Sequence, residues 1–143
     1  MEDYTLLKHR LLHPDILEAI ASAGHGSRIL IADGNYPAST CLGENAALVY
    51  LNLAPGKLTV TEVLETLLSA VEIEEAAVMT PGDGPEPPIF DEFRRLLPGL
   101  DLVEYDRFEF YEEASGPETC LQIVTGERRL YANLLLTLGV VNA

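Results

Sequence analysis

Two stretches near opposite ends of the chain hold residue types that move protons and grip hydroxyl groups. In AGHGSRILIADGNYPAS, Ala23 to Ser39, His25 stands between two glycines and Asp33 precedes a Gly-Asn-Tyr-Pro turn. An imidazole gains and loses its proton near neutral pH, and the carbonyl-rich end of a helix favours the protonated form. His25 is therefore a candidate proton donor and acceptor. The same position also suits a histidine that only hydrogen-bonds the last helical carbonyls. Asp33 can accept hydrogen bonds from ligand hydroxyls, since open α/β sheets bind ligands outside the carboxyl ends of their strands. It can equally close an Asx-turn onto the backbone of Asn35, and the two roles are compatible. In TGERRLYANLLL, Tyr131 and Asn133 lie two apart, so in extended backbone the phenol and the amide share one face. That pair suits a hydroxyl-rich ligand, or else a buried tyrosine beside a turn asparagine.

The elements that must position these groups are readable from periodicity. HPDILEAIASAGHG carries Ile16, Leu17 and Ile20 on one helical face, with Pro14 suited to the first turn and Gly24 or Gly26 to the C-terminal cap. RILIA, Arg28 to Ala32, is too short for a helix and predicts a buried strand that runs out at Asp33. The alternation continues with a strand in AALVYLNL, a helix in TVTEVLETLLSAV with a Thr59–Glu62 capping box, and a strand in EAAVMTP. PGDGPEPP, Pro81 to Pro88, has almost nothing to bury and predicts an exposed loop. A helix in IFDEFRRLL, a strand in LDLVEYD, a short helix in RFEFYEEA and closing strands in TCLQIVTG and LLLTLGVV complete the chain. The expectation is one α/β layered domain over residues 1–143, with a mixed, largely buried sheet flanked by helices.

The remaining candidates read as structural. His9 and His13 have the spacing of a helical metal pair, but Pro14 disfavours helix at His13 and no third ligand is nearby. His13 then starts a helix and His9 lies on the surface. PGDGPE lacks the lysine of a phosphate loop, and no nucleophile elbow, dinucleotide fingerprint or zinc motif is present. Cys41 and Cys120 lack CxxC spacing and read as free buried thiols. No metal and no cofactor are expected.

Bulk composition narrows the partners. The 143 residues, 48% hydrophobic, are enough for one core of ordinary size. A formal charge of −14, from 23 acidic against 9 basic residues, argues against nucleic acid and against anionic lipid. The first twenty residues lack the basic-then-apolar layout of a signal peptide, and no run approaches the roughly 18 apolar residues of a membrane helix. A cytoplasmic protein that meets small molecules or copies of itself is expected.

Taken together, HPDILEAIASAGHG with SRILIADGNYPAS resembles the opening of the ribose pyranase and fucose mutarotase family, and TGERRLYANLLLTLGVV resembles its C-terminal signature. The resemblance runs end to end. It implies an isomerase of free monosaccharides that interconverts their ring and anomeric forms, with His25 as acid/base and Asp33, Tyr131 and Asn133 contacting the sugar. DRFEFYEE resembles the fucose-type segment, which places Arg107 at the position separating the branches and implies L-fucose. A D-ribose pyranase, a non-catalytic sugar-binding protein and an interaction module whose pocket is incidental are the alternatives. The resemblance further implies a ring-shaped homo-oligomer, often a decamer, with sites at subunit boundaries. The chain departs from the family pattern in running longer around Ser115 to Pro117, and in lacking an Arg-x-Asp-Gly stretch within CLGENAALVYLNLAPG.

Overall fold

The computed structural model describes residues 6–142; the expectation of one domain over 1–143 extends to residues 1–5 and 143, which lie outside the described residues. Helices and strands alternate as α1 (Pro14–Ser22), β1 (Arg28–Ala32), β2 (Ala47–Tyr50), α2 (Val60–Leu68), β3 (Ile73–Met79), α3 (Ile89–Leu96), β4 (Leu102–Tyr105), α4 (Arg107–Ala114), β5 (Thr119–Val124) and β6 (Leu134–Leu138). Three of the four helices, α1, α2 and α4, begin where a side chain takes up a free backbone donor. His13 caps α1 through Nδ1 and Pro14 follows at its first position. Thr59 with Glu62, and Asp106 with Glu109, form reciprocal capping boxes at α2 and α4.

The six strands form one mixed sheet in the order β2-β5-β1-β6-β3-β4. β1 pairs in parallel with β5 and β5 with β2, as does β3 with β4. β6 runs antiparallel between β1 and β3, with Leu134 opposite both Ile31 and Val78. Five strands therefore end at one edge of the sheet, and β6 begins there. The period-2 alternation sorts β1 between two cores. Ile29 and Ile31 pack in a large cluster with Ile16, Val60, Leu64, Leu67, Phe90 and Phe93 from α1, α2 and α3. Leu30 and Ala32 face the opposite way, into a smaller cluster with Phe110 and Ala114 of α4. The expected α/β domain with a buried mixed sheet is thus observed.

Pro81 to Pro88 holds no helix or strand, as expected. Ser115 to Pro117, where the chain is expected to run longer than the family pattern, lies between the end of α4 and β5, and Asn45 Nδ2 donates to the Pro117 carbonyl there at 2.9 Å. That segment lies a whole helix away from Arg107. Cys41 and Cys120 are free, and half-buried rather than buried. Among the described residues no helix is long and apolar enough to cross a membrane.

Candidate functional site

Asp33 sits where β1 ends, 4% exposed. Its Oδ1 accepts the backbone N–H of Asn35 at 3.0 Å, which is the expected Asx-turn. The antiparallel placing of β6 against β1 brings Asn133, one hundred residues later, onto the same carboxyl group. Asn133 Oδ1 accepts the Asp33 backbone N–H at 2.8 Å, and its Nδ2 donates to Asp33 Oδ2 at 3.3 Å. One amide therefore fixes both the backbone and the side chain of Asp33. Burial raises the Asp33 carboxyl above the usual carboxylate range, and the hydrogen bonds from Asn35, Tyr36, Asn133 and Ala132 offset that only in part. The result is a carboxylate that gains from any further donor a ligand brings.

Tyr131 reaches this site by another route than strand alternation. Its φ of 59° puts it in the left-handed region, and β6 begins only at Leu134. The expectation that Tyr131 and Asn133 share a face in extended backbone is corrected: a turn, not a pleat, brings them together. A left-handed non-glycine residue costs about 1–2 kcal/mol and persists where its surroundings fix it.

Glu127 provides that fixing. Its buried carboxylate accepts from the Val60 backbone N–H at 3.2 Å, from the Arg128 and Arg129 N–H groups at 3.1 and 3.2 Å, and from the Arg129 guanidinium at 2.8 and 3.0 Å. Arg129 also pairs with Glu92 of α3. A Cβ at Gly126 would collide with the Lys57 and Ala54 carbonyls, so the segment leading to Tyr131 is clamped on two sides. Burial alone would raise the Glu127 carboxyl, but the bonds from Arg129 and Val60 outweigh it and hold it below the usual range. Glu127 thus contributes stability that is present above the ordinary carboxylate pKa and is lost as pH falls through the lowered one. Asp33, raised, acts with the opposite sign. Urea midpoints should show the Glu127→Gln protein less stable than wild type by about 1–3 kcal/mol at pH 7, with a shallower loss on acidification. Parallel acid limbs for the two proteins would refute the assignment.

Arg107 opens α4 directly after β4, held at the sheet edge by the Asp106–Glu109 capping box. Its Nε donates to the Tyr111 hydroxyl at 3.1 Å, and the guanidinium lies 5.5 Å from the Phe108 and Tyr111 ring centroids. Asp33, Arg107, Tyr131 and Asn133 all line one cavity of about 320 Å³, together with Asn35, Tyr36, Met79, Tyr111 and Leu130. Four of the five expected residues converge, from three distant segments. Tyr111 follows Arg107 by four residues on one helix, a spacing visible in the sequence. Tyr36 has no such signal beyond its place in the turn. Its ring packs edge-on against Phe110 and Tyr111, burial raises its phenol, and its buried hydroxyl has no partner among the described residues.

His25 is not among them. It lies before β1 and Asp33 after it, so five strand residues at about 3.3 Å each, roughly 17 Å, separate the two. Nor does it cap α1, whose C-terminal N–H donor is Ala23. Gly26 ties the turn to the far end of β6 through the Leu138 carbonyl, and the imidazole Nε2 meets Glu74 Oε2 of β3 at 2.9 Å. The His25 side chain is 59% exposed there. A histidine held by a carboxylate on the surface is oriented, and open to whatever docks against it.

Residues 6–141 match the RbsD / FucU transport protein family. The chain belongs to this family. It is 33% identical to the fucose mutarotase of Homo sapiens over 92% of its own length and 90% of that protein's. Among solved structures of the RbsD / FucU type, it is similar to the fucose mutarotase of Streptococcus pneumoniae in complex with L-fucose, with a TM-score of 0.78, 28% identity, and coverage of 91% of this chain and 94% of that one. It shares its fold with Bacillus subtilis RbsD complexed with D-ribose, with a TM-score of 0.81, 22% identity, and coverage of 96% and 100%.

Proposed function

We propose that this protein is a monosaccharide mutarotase acting on L-fucose, with the sugar held in the cavity of Asp33, Arg107, Tyr131 and Asn133 and the proton moved by His25 of a neighbouring copy. The convergence of those four residues on one polar cavity carries the reading, and the likeness to fucose mutarotases supports it. Opening a cyclic hemiacetal requires a proton on the ring oxygen and removal of one from the anomeric hydroxyl. Closure on the other face of the carbonyl reverses both. No electron changes hands and no covalent adduct with the protein is needed. Acid/base assistance of this kind contributes about 10² to 10⁴-fold. The Asp33 carboxylate accepts from sugar hydroxyls, the Arg107 guanidinium donates to them, and Tyr131 and Asn133 fix the ring between the two. A sugar that leaves one of these buried groups unpaired is rejected.

The position of His25 requires a second copy: an exposed imidazole at one end of the sheet can meet a pocket at the other end only across a subunit boundary. A closed ring, in which each copy presents one face to the next, meets that requirement for every site at once. Saturation-transfer NMR on a panel of free sugars tests the proposal. Anomeric exchange of L-fucose should accelerate well beyond that of D-ribose. Equal acceleration of the two would place the protein outside the fucose branch, and binding without acceleration would make it a sugar-binding protein.

A further inference from the structure

The sheet edge that carries the sugar pocket holds a second and larger cavity. It measures about 490 Å³ and is formed where β1, β2 and β5 run out, by Gly34, Asn35, Asn52, Leu53, Ala54, Pro55 and the Thr125–Arg128 segment. Asn35 lines both cavities. Most polar groups of the larger one are already committed. Gly34 N–H donates to the Glu127 carbonyl, Gly126 N–H to the Leu58 carbonyl, and Thr125 Oγ1 to the Ala32 carbonyl. The side chains of Asn35, Asn52 and Arg128 are not: none makes a hydrogen bond or ion pair among the described residues. Two amides, each donor and acceptor, and one five-donor guanidinium thus surround a space beside a sugar pocket, with Leu53 and Pro55 as its apolar wall.

We infer that this cavity is a subsite for a second sugar unit, so that the protein also acts on the free reducing end of a disaccharide whose neighbouring residue rests against Asn35, Asn52 and Arg128. The inference rests on the mutarotase reading of the adjoining pocket. Amides and a guanidinium match the paired donors and acceptors of vicinal hydroxyls, and the Leu53–Pro55 wall matches the C–H face of a pyranose. A net charge of −14 on the chain disfavours an anion as occupant. The glycosidic bond stays intact: only the hemiacetal at the free end opens and closes, with the same two proton transfers as for the monosaccharide.

The test compares exchange spectroscopy on L-fucose with that on two galactosyl-L-fucose disaccharides with free reducing ends, linked through fucose O3 and O4. Wild type should accelerate at least one disaccharide. Asn52→Ala and Arg128→Ala should each slow that disaccharide roughly fivefold, the loss of one hydrogen bond, while leaving L-fucose exchange and the melting temperature unchanged. Neither side chain lines the smaller pocket, and neither makes a hydrogen bond or ion pair among the described residues, so a general loss of structure is not the expected effect. Acceleration of L-fucose alone, or variants that slow both sugars equally, would overturn the subsite. Failure with L-fucose in wild type would instead overturn the reading of the adjoining pocket.

Discussion

The His25→Gln protein is expected to fold, assemble and bind L-fucose while losing acceleration of anomeric exchange by about 10² to 10³-fold. Glutamine can hydrogen-bond a sugar oxygen but cannot pass a proton. Little stability is at stake, because the imidazole is 59% exposed and its pairing with Glu74 is a surface contact, a class worth about 0–1 kcal/mol. Sugar affinity should change by only a small factor, since the hydroxyl-binding groups lie at the opposite end of the sheet. The separation of the two ends supplies a stricter check. Mixing His25→Gln chains with Asp33→Asn chains, at a sugar concentration too low to fill the weakened Asp33→Asn pockets, should restore roughly a quarter of the sites after subunit exchange, because each site takes its pocket from one copy and its imidazole from the next. A His25→Gln protein as fast as wild type would remove His25 from the reaction, and failure of the mixture to regain activity would remove the shared site.

Asp33→Asn is expected to weaken L-fucose binding by about 10- to 100-fold, the loss of a hydrogen bond to a charged acceptor. The effect has two sources. Removing the charge takes away the carboxylate that accepts from sugar hydroxyls. The new amide also cannot satisfy both neighbours: with its oxygen kept on the Asn35 N–H, its NH₂ faces Asn133 Nδ2, and Asn133 cannot flip because its oxygen holds the backbone N–H of residue 33. The stability change should be small, because the buried carboxylate is already penalised by desolvation and a neutral amide escapes that cost. Titration of the variant with L-fucose, followed by NMR, reads the affinity directly. An unchanged affinity would mean that the sugar does not occupy this pocket.

The pattern of apolar residues was sufficient for much of the architecture. Ile29 to Ala32 is an unbroken apolar run too short for a helix, as a strand with both faces covered requires, and in the structure the two cores divide along its alternating side chains. Thr59 and Glu62 announce the start of α2 because their reciprocal bonds involve residues three apart. Asp33 reads as an Asx-turn for the same reason: its partner is two residues away. Arg107 and Tyr111 fall on one helical face by spacing alone.

What lay beyond the sequence is whatever depends on strand order. Nothing within RILIA says that its neighbours are β5 on one side and an antiparallel β6 on the other, and only that choice sets Asn133 upon Asp33. The same choice puts His25 at the amino end of β1, against Glu74 and far from the pocket, although seven residues of sequence separate it from Asp33. It also forces the chain into β6 through a turn, leaving Tyr131 left-handed where extended backbone had been expected. Caps, turns and periods are short-range and are settled by residues within a few positions of one another. The pairing of strands is settled by the burial of whole faces, so the sequence by itself determined the elements and most of the groups that could handle a sugar, while the tertiary structure decided which of them share a pocket and which must be met from another copy.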